Sequence, residues 1–378
     1  MLTWEYPPYK VGGIATHCYD LSRFLVRKGH DVHIVTYGEK EKEEYDKGIT
    51  IHRVPGVRSI DTASWATAIT HKIEKKVIEL HKLYGFELVH AHDWMMVPSG
   101  VGIKKLLGLP MVFTLHSTEH GRSGVHDSYT KFINDLEWYG CYEADQVITV
   151  GKDFYNEVKT LFSVPEYKMN YIPNGIDVER FDRHVVSIDR DQLAGDWERI
   201  CLFVGRHSPQ KGIEYLLLSI PSILQTHPDV KFVFAGGGAV DYYRSFARLL
   251  GIHNKTYFLG YTSDDIIISL FKLADIVAIP SVYEPFGIVA LEAGAAKKAA
   301  VASYIGGLKE IILHENTGLH TFPADPESIA NQTKRILADN SWNKWMGKNA
   351  RKRVESKYTW SRIADWTIGV YGKALQIW

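Results

Sequence analysis

The chain alternates short apolar segments with amphipathic helical ones, and this rhythm runs twice along its length. A helical pattern over residues 14–28 is followed by a β-branched, alternating segment over residues 31–37. The alternation continues to residue 172, gives way to a charged stretch without pattern over residues 173–199, and restarts at residues 200–204. Strands that alternate with helices predict parallel β-sheets covered by helices. The expected fold class is therefore α/β, with two Rossmann-like doubly wound domains in series.

We place the two predicted domains at residues 1–172 and 173–360. A chain of 378 residues is long for a single hydrophobic core, which agrees with two domains. Residues 1–6 offer few apolar positions before a Pro-Pro turn, so the first strand is expected to be either very short or cut by a late start site. The charged run over residues 39–47 is predicted to be a solvated loop.

Composition excludes several classes of function. The chain carries 44 Lys and Arg residues and 44 Asp and Glu residues, so no net charge draws it to nucleic acid or to an anionic membrane. No apolar run approaches the ~20 residues that span a bilayer, and no signal-peptide pattern opens the chain. We therefore expect a cytoplasmic protein that can still contact a membrane peripherally.

The three cysteines, Cys18, Cys141 and Cys201, lack metal-type spacing and are expected to be buried thiols. The sequence does not indicate an oligomeric state.

The segment at residues 280–292 reads PSVYEPFGIVALE and places Glu284 and Glu292 on either side of a Pro-Phe-Gly turn and a short apolar run. If a helix begins near Phe286 or Gly287, its first backbone N–H groups are unpaired and offer a site for an anion such as a diphosphate. An ordinary helix start with a solvated glutamate gives the same pattern. The motif alone leaves both interpretations open.

Charged side chains and glycines follow other predicted strands, at the edge where open parallel sheets bind their ligands. Arg206 and Lys211 follow the first strand of the second half, and a guanidinium with an ammonium group suits the several oxygens of a diphosphate. Gly12 and Gly13 follow the first strand of the chain, where they let backbone N–H groups approach an anion. A solvated charge pair and a tight turn are the respective structural alternatives.

Histidine and aromatic residues end two strands of the first half. His116 closes one strand, and a half-buried structural histidine is the alternative to a functional one. His92, Asp93 and Trp94 form either a structural hydrogen-bonded pair with an aromatic neighbour or a platform for a sugar ring. No His, Cys or Glu cluster has metal-ligand spacing, and neither a P-loop nor a Gly-x-Ser-x-Gly elbow occurs. Kinases and hydrolases built on those motifs are therefore disfavoured.

Together these pieces resemble the retaining nucleotide-sugar glycosyltransferases of family 4 and the neighbouring bacterial and archaeal glycogen synthases, which have the two-Rossmann GT-B fold. The matching pieces occur in the family's order and cover nearly the whole chain. They are KVGGI at 10–14, HDW at 92–94, TLH at 114–116, IPNGID at 172–177, GR at 205–206, KG at 211–212, GY at 260–261 and EPFGIVALE at 284–292. Two lysines at 297 and 298 replace a Gly-Lys/Thr-Pro turn that is more usual in relatives.

The resemblance implies a role for each candidate residue. In the catalytic set, Arg206 and Lys211 would stabilise the departing diphosphate. Glu284 would hold hydroxyls of the transferred sugar, and His116 would approach that sugar. The other implied donor contacts are Glu292 at the ribose, the glycines Gly12 and Gly13 at the diphosphate, Tyr261, and the backbone of Phe286, Gly287 and Ile288. The implied acceptor side consists of His92, Asp93 and Trp94. The family's C-terminal helix, at about 361–378, would cross back to the first domain, and the two domains would face each other across a cleft.

The expected reaction is the retaining transfer of a hexose from a nucleoside-diphosphate sugar, such as UDP-glucose or ADP-glucose, to a glycan or small hydroxyl acceptor. Glycogen or α-glucan synthesis is one form of this reaction. The departing diphosphate oxygen can itself take the acceptor's proton, and neither a metal nor another cofactor is expected. Two alternatives stay open, namely a nucleotide-sugar epimerase or hydrolase on the same fold, and a non-catalytic nucleotide- or glycan-binding module. The donor base, the sugar and the acceptor also stay open, because loop shape sets them.

Overall fold

The structure is a computed structural model that describes residues 1–57, 59, 61–183 and 188–377. It divides into two compact units, which we call unit 1 (Met1–Gly175 with Trp360–Trp378) and unit 2 (Ile176–Thr359). The predicted linker includes residues 184–187 and the predicted C-terminal helix includes residue 378, and both positions lie outside the described residues.

Strands and helices alternate through both units. The strands are β1 (Val32–Gly38), β2 (Lys42–Asp46), β3 (Ile49–Pro55), β4 (Val89–His92), β5 (Met111–Leu115), β6 (Gln146–Thr149), β7 (Met169–Tyr171), β8 (Arg199–Val204), β9 (Val230–Ala235), β10 (Thr256–Gly260), β11 (Ile276–Ile279), β12 (Ala300–Ser303) and β13 (Gly318–Thr321). The helices are α1 (Gly13–Arg27), α2 (Thr62–Tyr84), α3 (Val97–Leu107), α4 (Glu119–Arg122), α5 (Ser128–Glu143), α6 (Lys152–Leu161), α7 (Glu179–Asp182), α8 (Ile213–Thr226), α9 (Val240–Leu249), α10 (Asp264–Leu273), α11 (Ile288–Ala295), α12 (Leu308–Ile311), α13 (Pro326–Ala338), α14 (Asn340–Lys357) and α15 (Trp360–Gln376).

Unit 1 is built on two sets of strands, in the orders β1-β3-β2 and β4-β5-β6-β7. Leu2 makes parallel bridges to both Val35 of β1 and Ala91 of β4, so the short first strand expected from the sequence lies between the two sets. Helices α1 and α15 pack together over the sheet, and Trp360, at the start of α15, is 2% exposed in the core. His92 and Asp93 lie at the carboxyl end of β4, and His116 follows the carboxyl end of β5.

Unit 2 contains one parallel sheet of six strands in the order β10-β9-β8-β11-β12-β13. The strand order reverses direction between β8 and β11, which are neighbours. In open α/β sheets ligands bind at such a switch point, outside the carboxyl ends of the strands. The topology of unit 2 therefore singles out the loops after β8 and β11. All three cysteines of the chain are free and buried, as expected.

The fold differs from the sequence prediction in several short elements. The charged run at residues 39–47 was predicted to be a loop, but β2 lies within it and pairs antiparallel to β3. An edge strand tolerates such charges because one of its sides faces solvent, and Glu44 of β2 binds both Lys42 and Arg53. Strand β13 and helices α4 and α7 were not predicted, since each has only four residues and no periodicity to detect.

Within the described residues, no helix is long and apolar enough to cross a membrane. The longest of the helices above, α2, has 23 residues but carries four lysines along its length.

Replacing each of two helical glycines by alanine is expected to change stability in opposite directions. At Gly369 of α15, no atom lies within 4 Å of the position that a Cβ would take, so Gly369→Ala is expected to stabilise the protein by about 0.5–1 kcal/mol through helix propensity alone. A Cβ on Gly140 of α5 would lie 2.6 Å from Phe113 and from Val97, so Gly140→Ala is expected to destabilise by about 1–3 kcal/mol. Urea denaturation of both variants measures the difference, and equal effects would contradict the packing described here.

Candidate functional site

An ion pair joins the two loops at the switch point of unit 2. The Nζ atom of Lys211, in the turn after β8, lies 2.7 Å from Oε2 of Glu284, in the loop after β11. Ser281 donates a hydrogen bond of 3.1 Å to the same carboxylate oxygen. The side chains of Lys211 and Glu284 are 24% and 11% exposed. Residues separated by 73 positions in the chain thus form one partly shielded pair of charges at the predicted ligand edge.

Three glycines hold the backbone of the loop that carries Glu284. A Cβ on Gly212 would lie 1.9 Å from the carbonyl oxygen of Pro280, and one on Gly306 would lie 2.0 Å from that of Glu284. A Cβ on Gly307 would lie 2.3 Å from the carbonyl oxygen of Phe286. Real Cβ atoms do not approach so closely, so only glycine allows these backbone contacts. The position of Glu284 is therefore fixed by main-chain packing on both sides of its loop.

Helix α11 starts directly after this loop. It begins at Ile288, close to the predicted start, and Gly287 is its N-cap residue with φ +106°. Gly287 has no side chain with which to cap the helix, and a helix N-terminus without such a cap suits an anion. Phe286 is 3% exposed, and its ring centroid lies 6.1 Å from that of Tyr358. Glu292 lies one turn into the helix and is half-buried.

Two other predicted donor residues lie on strand ends of the same sheet. Arg206 follows β8 and is exposed, with no ion-pair partner among the residues that the structure describes. Tyr261 follows β10 and is 73% exposed. The structure therefore brings Lys211 and Glu284 into contact, whereas Arg206 and Tyr261 stand free at the edge of the sheet.

The glycine loop of unit 1 already holds an anion of the chain itself. The carboxylate of Glu5 accepts hydrogen bonds from the amides of Val11 and Gly12, the latter at 2.9 Å. Burial raises the pKa of Glu5, and these amides oppose that rise. In this structure the Gly12 amide is therefore bound to an internal carboxylate, and the contact of Gly12 with a donor diphosphate stays a prediction. Gly13 is the first residue of α1.

Three histidines meet at the carboxyl ends of β4 and β5. His17 of α1, His92 of β4 and His116 after β5 offer ring nitrogens that all lie within 4.8 Å of one another. Burial lowers the pKa of His17 to about 4, and it lowers the pKa values of His92 and His116 well below the ordinary value. All three imidazoles are therefore neutral near pH 7. Sequence spacing missed this cluster because its members come from three separate elements.

The His-Asp-Trp motif lies at the end of β4. The Nδ1 atom of His92 lies 3.3 Å from Nε2 of His116, so the ring of His92 faces another histidine at this strand end. Trp94 is 4% exposed, which leaves no free indole face for a sugar ring and favours the structural interpretation. Asp93 has φ +63°, a rare backbone conformation for this residue type, and it is buried. Its Oδ1 atom has no hydrogen-bond partner within the described part of the chain.

A charged cluster that the sequence did not reveal lies beside Asp93. Arg122 of α4 binds Glu119 at 2.8 Å and Glu137 of α5 at 3.2 Å. Both carboxylate oxygens of Glu137 also accept from the amide of Glu119 at 2.9 Å. Burial raises the pKa of Glu137 to about 8, and the Arg122 guanidinium opposes this rise. The nearby carboxylates of Asp93 and Glu119 add to it.

Comparison with known proteins identifies the class that this fold and site define. The family model of the glycosyl transferases group 1 matches residues 187–353, and that of glycosyltransferase family 4 matches residues 11–180. A protein described as an uncharacterized glycosyltransferase of Methanocaldococcus jannaschii is 41% identical over 100% of this chain and 98% of its own length. The chain therefore belongs to the group 1 and family 4 glycosyltransferases.

More specific likenesses come from a second relative and from solved structures. The glycogen synthase of Mycobacterium tuberculosis is 31% identical over 98% of this chain and 93% of its own length. The sucrose-phosphate synthase of Thermosynechococcus elongatus has a TM-score of 0.84 at 24% identity, with 100% of this chain and 98% of that one covered. Anabaena HepE, solved with UDP and glucose, has a TM-score of 0.77 at 19% identity over 98% of both chains. The fold class is thus GT-B, as expected.

A pair of glycine variants tests whether close packing fixes the Glu284 loop. Gly212 and Gly251 have similar positive φ values of 66° and 71°, but a Cβ on Gly251 would have no atom within 4 Å. Gly251→Ala is therefore expected to cost about 1 kcal/mol of stability from backbone strain alone. Gly212→Ala is expected to cost about 3 kcal/mol or more, because the Pro280 carbonyl must move. Urea denaturation measures the loss of stability in both variants. Equal losses would show that the loop backbone can move away from the new Cβ at no cost.

The raised pKa of Glu137 implies that the free energy of unfolding depends on pH. Its folded pKa of about 8 lies above the unfolded value of 4.5, so the folded state binds more protons between these values. Its contribution to stability is therefore present below about pH 4.5 and is lost as pH rises to about 8. The free energy of unfolding, measured by urea denaturation across this range, should fall with pH less steeply in Glu137→Gln than in the wild type. Parallel curves would contradict the raised pKa.

Proposed function

We propose that this glycosyltransferase transfers a hexose, with retention of anomeric configuration, from a UDP- or ADP-glucose-type donor to a glucan or another hydroxyl acceptor. One observation carries the proposal, namely the Lys211–Glu284 pair at the switch point of the unit 2 sheet. A cation and a carboxylate on adjacent loops there can hold the diphosphate and the sugar of one donor.

Lys211 is suited to the diphosphate because its ammonium group has three donors. One donor can stay on Glu284, as in this structure, while another takes a phosphate oxygen. Arg206 follows the same strand and adds a guanidinium that can bind two phosphate oxygens at once. Cationic groups that meet the departing diphosphate lower the barrier to breaking the glycosidic bond. We propose that no metal ion is needed at the diphosphate, so that added Mg²⁺ leaves turnover unchanged.

Glu284 and helix α11 would divide the remaining contacts to the donor. The carboxylate of Glu284, held by Lys211 and Ser281, would accept hydrogen bonds from sugar hydroxyls. The uncapped start of α11 at Phe286, Gly287 and Ile288 would contact phosphate and sugar oxygens. Glu292, one turn further along, would bind the ribose hydroxyls, and exposed Tyr261 would contact the donor from the neighbouring strand end.

Retention follows from how the acceptor loses its proton. In the proposed step, the bond between the sugar's anomeric carbon and the diphosphate oxygen breaks, and the acceptor oxygen attacks the same face of an oxocarbenium-like centre. The departing diphosphate oxygen takes the acceptor's proton, which balances the transfer without a second carboxylate acting as a base. Arg206 and Lys211 would stabilise the charge that develops on that oxygen.

The relatives and structural neighbours support the choice of donor and acceptor. The relative at 31% identity is a glycogen synthase, and the solved HepE structures contain UDP, UDP and glucose, or UDP-glucose. A starch synthase structure with ADP and acarbose has a TM-score of 0.75 at 18% identity. In unit 1, Gly13 and His116 remain proposed donor contacts, and His92 and Asp93 remain on the proposed acceptor side. The free cysteines support the proposed cytoplasmic location.

The test of this function is a panel of UDP-, ADP- and GDP-sugars, each incubated with glycogen, maltose or no acceptor. Release of nucleoside diphosphate should depend on the acceptor, and NMR of the product should show the donor's anomeric configuration. Turnover with no acceptor would favour the hydrolase or epimerase alternative. No release and no binding with any donor would overturn the proposal.

Removing either member of the charge pair should abolish transfer while leaving the fold intact. Lys211→Met and Glu284→Gln are each expected to lower kcat by about 100-fold or more, because each removes a charged contact to the donor. Lys255→Met is a matched control, since Lys255 also binds a carboxylate, Glu198 at 3.0 Å, and its side chain is 20% exposed. Lys255 precedes β10 at the opposite end of the sheet, so its variant should keep full activity. Circular dichroism checks the fold of all three variants. Retained activity in both site variants would contradict the assigned roles.

A further inference from the structure

Helix α14 concentrates positive charge in a chain that is neutral as a whole. Its 18 residues read NSWNKWMGKNARKRVESK, with six lysines and arginines and a single acidic residue, Glu355. The whole chain carries 44 basic and 44 acidic residues, so this excess is local. A local excess of one sign of charge attracts partners of the opposite sign, which makes the outer face of α14 a candidate interaction surface.

The lysines of α14 form one row on the side that points away from the core of unit 2. Lys344, Lys348 and Lys352 follow one another at intervals of four residues, which places them along one side of the helix, and all three are exposed. Met346, on the opposite side, is 0% exposed. Trp345 is 47% exposed beside the row. We call the three lysines and Trp345 the basic face.

Carboxylates of the chain do not neutralise the basic face. None of its three lysines forms an ion pair with another residue that the structure describes. The carboxylates of Asp182 and Glu355 both bind Arg351 instead, each at 2.6 Å. Because like charges four residues apart are unfavourable in an isolated helix, the row does not serve the stability of α14 itself.

A fourth exposed lysine lies beside the row in a rare backbone conformation. Lys297 follows α11 and has φ +60°, a region that favours glycine. Its carbonyl oxygen would lie 2.1 Å from a Cβ on Gly347, so this turn lies directly against α14. Burial lowers the pKa of the adjacent Lys298, and the positive charge of Lys344 lowers it further. The turn after α11 and the start of the lysine row thus belong to one positively charged region.

We propose that the basic face, extended by Lys297, binds the surface of a bilayer that contains anionic phospholipids. Lysine ammonium groups are compact point charges that suit a diffuse negative surface, whereas recognition of a single phosphate favours the fork of arginine. Clusters of about four to eight basic residues on a helix bind anionic lipid in this way. The indole of Trp345 suits the boundary between headgroups and water, where tryptophan is enriched. This inference does not depend on the proposed donor or acceptor.

Sedimentation of the full chain with lipid vesicles tests the proposal. Binding should require phosphatidylglycerol, at about 40 mol% in phosphatidylcholine, and should weaken at least about tenfold when NaCl is raised from about 0.05 M to about 0.5 M, because salt screens the attraction. Absence of binding to these anionic vesicles would overturn the proposal. Equal binding to vesicles of phosphatidylcholine alone would overturn it as well.

Lysine variants assign the binding to this face. The triple variant Lys344→Gln, Lys348→Gln and Lys352→Gln should bind anionic vesicles about a hundredfold more weakly, because each lysine near such a surface strengthens binding about fivefold. Circular dichroism checks that this variant is folded. Unchanged binding by the folded triple variant would contradict the proposal.

A matched control separates the basic face from net charge. It removes three exposed lysines of unit 1 by the substitutions Lys75→Gln, Lys82→Gln and Lys131→Gln, and so changes the net charge equally. This variant should bind anionic vesicles like the wild type. An equal loss of binding in both triple variants would show that net charge governs binding, and would overturn the proposal.

Two further measurements test Lys297 and the choice of partner. Lys297→Gly should weaken vesicle binding about fivefold without lowering the thermal midpoint of unfolding, because glycine adopts φ +60° without strain. Unchanged binding would contradict the role of Lys297. Single-stranded DNA at an equal concentration of phosphate should bind the wild type more weakly than the vesicles do. Equal or tighter binding of DNA would assign the basic face to nucleic acid and overturn the proposal.

Discussion

The site in unit 2 depends on close main-chain contact between glycines and the loop that follows β11. At Gly212, Gly306 and Gly307, the positions a Cβ would take lie 1.9–2.3 Å from carbonyl oxygens of that loop. No side chain could be inserted at these points without moving the backbone. The loop is thereby set so that Glu284 meets Lys211 from the neighbouring strand end, and α11 starts with its amides uncapped. Charge placement at this edge is a consequence of backbone packing.

Much of this arrangement follows from sequence pattern. Helix and strand periodicity predicted the parallel α/β architecture, and the start of α11 after Pro-Phe-Gly was predicted close to Ile288. The order of charged and glycine motifs predicted which strand ends carry ligand residues. These features are local, or they follow from the rule that parallel strands expose their carboxyl ends on one side.

What the sequence did not show depends on contacts between distant residues. The direct bond from Lys211 to Glu284 spans 73 positions, and the convergence of His17, His92 and His116 requires three elements to be placed in space. The occupation of the Gly12 amide by Glu5 and the burial of Glu137 beside Arg122 likewise have no periodic signature. Strand β2 was missed because an edge strand does not need an apolar face.

Affinity for UDP without a sugar tests the central claim most directly, which is that Lys211, held by Glu284, receives the donor's diphosphate. The claim predicts different effects for substitutions of the two partners, measured by calorimetric titration of UDP, or of ADP if the donor base is adenine. Lys211→Met should weaken binding by about tenfold or more, because it removes a positive charge from the phosphates. Glu284→Gln should keep or tighten it, because Lys211 loses the carboxylate that shares its charge. Equal affinity in both variants and the wild type would contradict the claim.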